Sequence, residues 1–406
     1  MAAAHDLVLA SHPVRQAVHR LGLLLVSGVL AACGPPRQQH TGTSPPQPSP
    51  GSSAAAVAAS AAPEPRASPV ATGASHTILV LDFTGVDAWL ACLHRTPGDV
   101  PACGHAAQQT TGGTIARMAE ATFGKEPPPA IPSVSADRVA QLVDEMRAWH
   151  PDSIIAEVQG YLPQPVDARI GAHVVANGHP WGDAYVRAVK QGVTGPALSP
   201  DGEPVILFNA VVIAATYPGT PEEQAADALE VLKHEAFHAL FHKYRESAPS
   251  WRKLPQHLDP AEQLLLTVLD EGIAHFVGDR SRLLKEGFPS ERGKNAVGGL
   301  DAAMQRLRAL PASSSESEAL LQSANQGRYW DKFGSISGML FAYGVFRTDG
   351  IDGLRDAVRC GPEYLLARYA QAAAIHADLP PLPRQVLDEA KRLDLCAVGA
   401  DSRAQD

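Results

Sequence analysis

Two histidines with a glutamate between them occur in the run His234-Glu235-Ala236-Phe237-His238. Inside a helix, a spacing of four brings both imidazoles to one face, about 6 Å apart along the axis. Neutral imidazoles placed in this way can converge on one Zn2+ ion. Glu235 would lie roughly 100° round the helix from His234, within reach of the ion's open position. There it can take a proton from water and pass it to a leaving amine. Two solvent-facing histidines on an amphipathic helix would be the purely structural alternative.

A catalytic zinc needs a third protein donor and an open position. A histidine six residues after His238 would supply the donor, but Tyr244 stands there. His242 would lie about 12 Å along the helix from His234, too far to share the ion. The third candidate is Glu271, in Asp270-Glu271-Gly272-Ile273-Ala274-His275. It falls on the following helix, and an antiparallel neighbour can present a carboxylate to the same metal. The expected site is therefore His234, His238 and Glu271 on Zn2+, with Glu235 as the base.

The elements that must position these residues are punctuated in the chain. Thr220-Pro221-Glu222-Glu223 is a capping box with proline at the first helical position, opening a helix that should run to about Arg245. Asp259-Pro260-Ala261-Glu262 opens the next, with Gly278 as its expected stop. Upstream, Thr77–Phe83, Ile154–Val158, Ile170–Val175 and Pro204–Ala215 have the β-branched, apolar character of strands. Helical stretches are expected at 114–123 and 135–149, separated by Pro127-Pro128-Pro129, and a mobile loop at the Ser-rich 313–317. The fold class expected is α+β: a small N-terminal mixed sheet followed by a mostly helical half, zincin-like with an active-site helix.

HEAFH followed by EGIA resembles the gluzincin metallopeptidases, which pair His-Glu-x-x-His with a downstream Glu. More narrowly, it is similar to families of predicted zinc-dependent peptidases in which a Gly/Met-rich helix follows. Gly338-Met339-Leu340-Phe341-Ala342-Tyr343-Gly344 could be that helix, so the resemblance covers about residues 204–345. It implies peptide-bond hydrolysis, His234, His238 and Glu271 as ligands, and Glu235 as base. It also implies that 204–210 is the strand beside the cleft, where an extended peptide could add. Thermolysin-like members carry Asp four residues after the ligand Glu to orient a zinc histidine; His275 stands there in this chain. Asp270 and Glu230 are alternative orienters, and Tyr329, Tyr343 and His275 are open as oxyanion donors. No Gly-Ala-Met-Glu-Asn run grips a free N-terminus, which tilts the expectation towards an endopeptidase. The rival is a non-catalytic or relic zinc-binding lipoprotein acting as a binding module, in which a fourth ligand such as His275 closes the site.

The chain's beginning reads as an address. Arg15 and Arg20 precede the apolar run of residues 21–32, LGLLLVSGVLAA, which is too short for a permanent span. It closes with Leu30-Ala31-Ala32-Cys33-Gly34, which resembles a bacterial lipobox and implies lipid on Cys33. Residues 34–75 hold nine prolines among Ser, Ala, Gly and Thr, a composition that cannot form a core and suits a tether. The expected organisation is a signal peptide and lipobox at 1–33, a tether at 34–75, and a metallopeptidase domain at 76–400. That domain divides into a sheet-containing part, 76–219, and a catalytic helical part, 220–400. The chain is thus expected outside the cytoplasm, anchored to a cell membrane, acting on peptides or proteins. A formal charge of -9 argues against a nucleic-acid partner. In an exported chain the remaining cysteines should pair locally, Cys92 with Cys103 and Cys360 with Cys396.

Overall fold

A computed structural model of the chain describes residues 76–396, except 97–99, 123–132, 177–181, 194, 200 and 256. The expected signal, lipobox and tether, and the Pro127-Pro128-Pro129 breaker, lie outside the described residues. Five strands form one sheet: β1 (Ile78–Asp82), β2 (Arg169–Val175), β3 (Ala184–Gly192), β4 (Gly195–Leu198) and β5 (Glu203–Asn209). Their spatial order is β1-β2-β5-β3-β4, with β1, β2 and β5 parallel and β3 antiparallel to β5 and to β4. Alternate residues of β5 serve the two faces. Ile206 and Phe208 join the main core, whereas Val205 and Leu207 meet Ile115, Ala116 and Ala119 on the other side.

Around the sheet lie α1 (Thr84–Arg95), α2 (Val100–Gln108), α3 (Thr111–Glu120), α4 (Ala136–Arg147), α5 (Pro151–Gln159) and α6 (Ala210–Thr216). The helical half follows: α7 (Pro221–Ser247), α8 (Pro249–Arg252), α9 (Pro260–Glu286), α10 (Ser290–Ala309), α11 (Ser315–Ser323), α12 (Phe333–Cys360), α13 (Pro362–Ile375) and α14 (Arg384–Ala390). This is the α+β architecture expected, a small mixed sheet and then a mostly helical half. Both expected disulfides are formed. Cys92–Cys103 ties α1 to α2, and Cys360–Cys396 ties the end of α12 to the C-terminal segment. Among the described residues no helix is long and apolar enough to cross a membrane.

Several local expectations are corrected. Ile154–Val158 is not a strand but lies inside α5, where Pro151 takes an N-terminal position and Ile154, Ile155 and Val158 share the buried face. So short an apolar run fits either period, and tertiary packing decided it. The long run from Pro204 divides at Asn209, whose side chain accepts from the Val212 N–H at 3.4 Å and caps α6. The Ser-rich stretch 313–317 does not stay a loop, because Ser314 caps α11. β5 is not beside an open edge either: β2 and β3 flank it, so a peptide cannot add there.

The two long helices begin as expected, each with a complete capping box, at Thr220 and at Asp259. α9, however, continues past Gly278 to Glu286 and stops at Gly287, whose φ is 79°. Gly278 serves another purpose: a Cβ there would stand 2.8 Å from the Glu230 carbonyl oxygen of α7. On its other side α9 meets α12 at Gly272 and Gly338. A methyl on Gly338 would overlap the Val268 carbonyl, and one on Gly272 the Gly338 backbone. α9 is thereby held between two helices at backbone contact distance.

Candidate metal centre

α7 presents His234, Glu235 and His238, and α9 presents Asp270, Glu271 and His275. His234 Nε2 lies 3.0 Å from His238 Nε2 and 3.8 Å from Glu271 Oε2. His238 Nε2 is 3.7 Å from Glu271 Oε1, and His275 Nε2 is 3.9 Å from Glu271 Oε2. One donor atom each from His234, Glu271 and His275 falls within 4.8 Å of the others. The structure thus sets His234, His238 and Glu271 side by side, with Glu235 buried next to His234 in the chain, but the group whose donor atoms all lie within 4.8 Å of one another takes His275 and not His238. Each of these side chains is at most 7% exposed.

The supports of the donors are as specific as the donors. His238 Nδ1 pairs with Asp270 Oδ1 at 2.8 Å, which leaves Nε2 facing the cluster. Asp270, not Glu230, is therefore the orienter of His238. His234 donates to the Ala274 carbonyl. Asn325 donates through Nδ2 to Glu271 Oε1 at 2.6 Å and accepts at its own Oδ1 from Ser335 Oγ, also at 2.6 Å. Such outer partners fix the ring or carboxylate orientation of metal ligands. Asn325, Lys332 and Ser335 carry no signal in the sequence: each is a lone polar residue in a connecting segment or at a helix start, with no spacing that ties it to the histidines.

Burial and neighbouring charge set the protonation states. His234 is held well below the ordinary histidine range by burial, with His275, His238 and Lys332 acting in the same direction. His275 is lowered well below it by burial and then by Lys332. For His238 burial also disfavours the charged form, but Asp270 and Glu271 outweigh it and push the group well above the usual range. Glu235 is raised to about 7 by burial, helped by Glu271 and Asp183 and opposed by His238 and Lys332. Asp183 is itself raised to about 6 by burial and accepts a hydrogen bond from the Tyr217 hydroxyl.

A cavity of about 280 Å3 reaches the cluster between α7 and α9, with His234 and His275 in its wall beside Glu230, Asp279 and Tyr329. Glu235 is not part of that wall. Of the three residues open as oxyanion donors, Tyr329 and His275 are here, their rings edge to face at 5.3 Å. Tyr343 is elsewhere, packed beside Phe288 and under the Arg347 guanidinium. His242 turns outward to Glu246, at 3.2 Å.

The donor set fits a zinc ion. Glu271 Oε2 and His275 Nε2 are buried with no hydrogen-bond partner. With His238 Nδ1 on Asp270 and His234 on the Ala274 carbonyl, the two Nε2 atoms 3.0 Å apart are both acceptors, so a further proton or a metal must stand between them. Zinc bonded at about 2.0–2.1 Å in a tetrahedron sets its donors about 3.3 Å apart, the scale of the separations seen. A protein-family model described as "Putative zinc dependent peptidase (DUF5700)" matches residues 138–378, more than half of the chain and every residue of the cluster. The chain belongs to this family. Neither the curated proteins nor the solved structures hold a match.

Proposed function

From that membership and the cluster's geometry we propose that the chain is a gluzincin-type zinc peptidase. In this reading His234, His238 and Glu271 hold the ion, and Glu235 is the general base. The observation that carries it is the approach of buried His234, His238 and Glu271 to one another, with Glu271 Oε2 lacking a hydrogen-bond partner. Zinc bound there would supply a Lewis acid for the scissile carbonyl and would acidify a water.

The chain's own groups do the rest. Glu235, buried beside His234, would take a proton from water and return it to the leaving nitrogen. Asp270 orients His238, and the Ser335–Asn325 pair orients Glu271. Lys332 is 1% exposed, and its positive field reaches His234, Glu235 and His275, the sign that a developing oxyanion needs. Among the described residues, Ala184–Ala188 of β3 pair with β5 on one side and with no strand on the other. Arg187, whose field couples to Glu235, lies on this stretch. The missing N-terminal grip makes an endopeptidase the preferred form. The peptidase domain would span 76–400, exported on the signal at 1–33 and anchored through lipid on Cys33 by the 34–75 tether. A Cys33→Ser variant that still fractionates with membranes would remove the anchor from this reading.

One observation favours the rival binding-module reading: His275 stands among the donors, and a fourth protein ligand is the mark of a structural zinc site. Purified protein separates the two. Chelator-sensitive cleavage of a peptide library is expected. Glu235→Gln should retain zinc and lose about 10³-fold or more in kcat, within the range for a general base and its positioned water. His234→Ala should lose zinc and activity together. Undiminished hydrolysis by Glu235→Gln sinks the mechanism, and bound zinc without turnover supports the rival.

A further inference from the structure

The zinc reading above is the premise here. We infer that His275 is a fourth protein donor of the metal centre, standing on its cavity side, so that the resting site is closed by protein. The residue follows Glu271 by one helical turn on α9, so both side chains leave the same face. Its Nε2 and Glu271 Oε2 are two buried atoms without hydrogen-bond partners, and they lie 3.9 Å apart. That is too long for a hydrogen bond between them. Leaving two such buried atoms unsatisfied is unfavourable for each. A single cation contacting both removes the cost for both. The ring is also held in place: it meets His234 at 4.5 Å and Tyr329 at 5.3 Å between centroids, each edge to face. The ring therefore stands ready to bind without reorganisation.

Placement gives this donor a consequence that His238 and Glu271 do not share. His275 and His234 form the part of the cavity wall nearest the cluster. A substrate entering from the cavity would meet the metal past the His234 and His275 imidazoles. Chemistry then requires that His275 yield its place or that the ion accept a fifth partner, as catalytic zinc sites can. The position that holds a carboxylate orienter in thermolysin-like enzymes would in this chain hold a closing ligand.

The test uses the full chain loaded with zinc. X-ray absorption at the zinc edge should count three imidazoles in the wild type and two in His275→Ala. Competition with a chromophoric chelator should show zinc affinity at least tenfold weaker in His275→Ala and in His275→Gln. His242→Ala, which removes an imidazole turned away from the cluster, should bind as the wild type does. Two imidazoles in the wild type, or unchanged affinity in both His275 variants, overturns the inference and leaves the peptidase reading standing. A wild-type chain that takes up no zinc overturns both.

Discussion

The sheet-containing part and the helical part bury different chemistry. Between β1 and α6 the interior is aliphatic and aromatic, and its buried polar side chains are Asp183, Arg187 and Asn209. Asn209 caps a helix, and the other two border the cluster. Between α7 and α12, among the described residues, the interior gathers His234, Glu235, His238, Glu271, His275, Asn325, Lys332 and Ser335 at the cluster, while Gln224, Ser317 and Ser337 donate to backbone carbonyls away from it. Burying ionisable groups is unfavourable unless they are paired or ligate a metal. One half is thus a scaffold stabilised by apolar contact, while the other carries a polar interior that a bound cation would complete.

That contrast can be broken or sharpened by experiment. The largest effect expected is from zinc itself. If the helical half is completed by the ion, zinc at about 1,000 times its Kd stabilises the fold by about 4 kcal/mol. Calorimetry with and without chelator reads this as a shift in Tm, and amide exchange should place the added protection in α7 and α9. Equal Tm in both conditions would mean that the polar interior is complete without metal.

Next is the backbone contact that sets α9 against α12. Gly338→Ala puts a methyl into the Val268 carbonyl. It should destabilise the protein by about 3 kcal/mol or more, as overpacking with no room to relax does. A denaturation midpoint within experimental error of wild type would show that the helices can separate cheaply. Asp270→Asn tests the support of His238 more gently. Zinc affinity should fall about 10–100-fold while the fold is retained; unchanged affinity would assign Asp270 a structural task only.

The smallest effect belongs to the border between the two parts. Burial raises Asp183 to about 6 in the folded chain, whereas the unfolded group titrates near 3.9. Below about pH 4 both states are protonated and the group makes no difference. As pH rises from about 4 to 6 the unfolded chain ionises first, so folding loses on the order of 1–3 kcal/mol, and nothing further is lost above that. Asp183→Asn should flatten stability across this window. A slope identical to wild type would place the pH dependence on other groups.

Most of the candidate site was legible because it is local. The HEAFH run, the two capping boxes and the EGIA segment each act over a few residues, so their helices and faces follow from period and cap chemistry. The same logic paired the cysteines with near neighbours. It failed where one short apolar run suits two periods, as in Ile154–Val158, and where a single residue divides a run, as Asn209 does. It also misread Gly278, because a glycine that ends a helix and one that lets two helices touch look alike in sequence.

What the chain by itself determined is the identity of the candidate metal-binding face on α7 and the start of both long helices. These depend on interactions within a turn or two. The depth and completeness of the cluster were decided only in three dimensions. The approach of α9 to α7 and α12 depends on backbone contacts at Gly278, Gly272 and Gly338, and it alone brings Glu271 and His275 to the histidines of α7. Folding of the 325–335 segment over that junction then delivers Asn325, Lys332 and Ser335. Contacts between residues so distant in the chain leave no periodic trace, since packing selects them and local conformation does not.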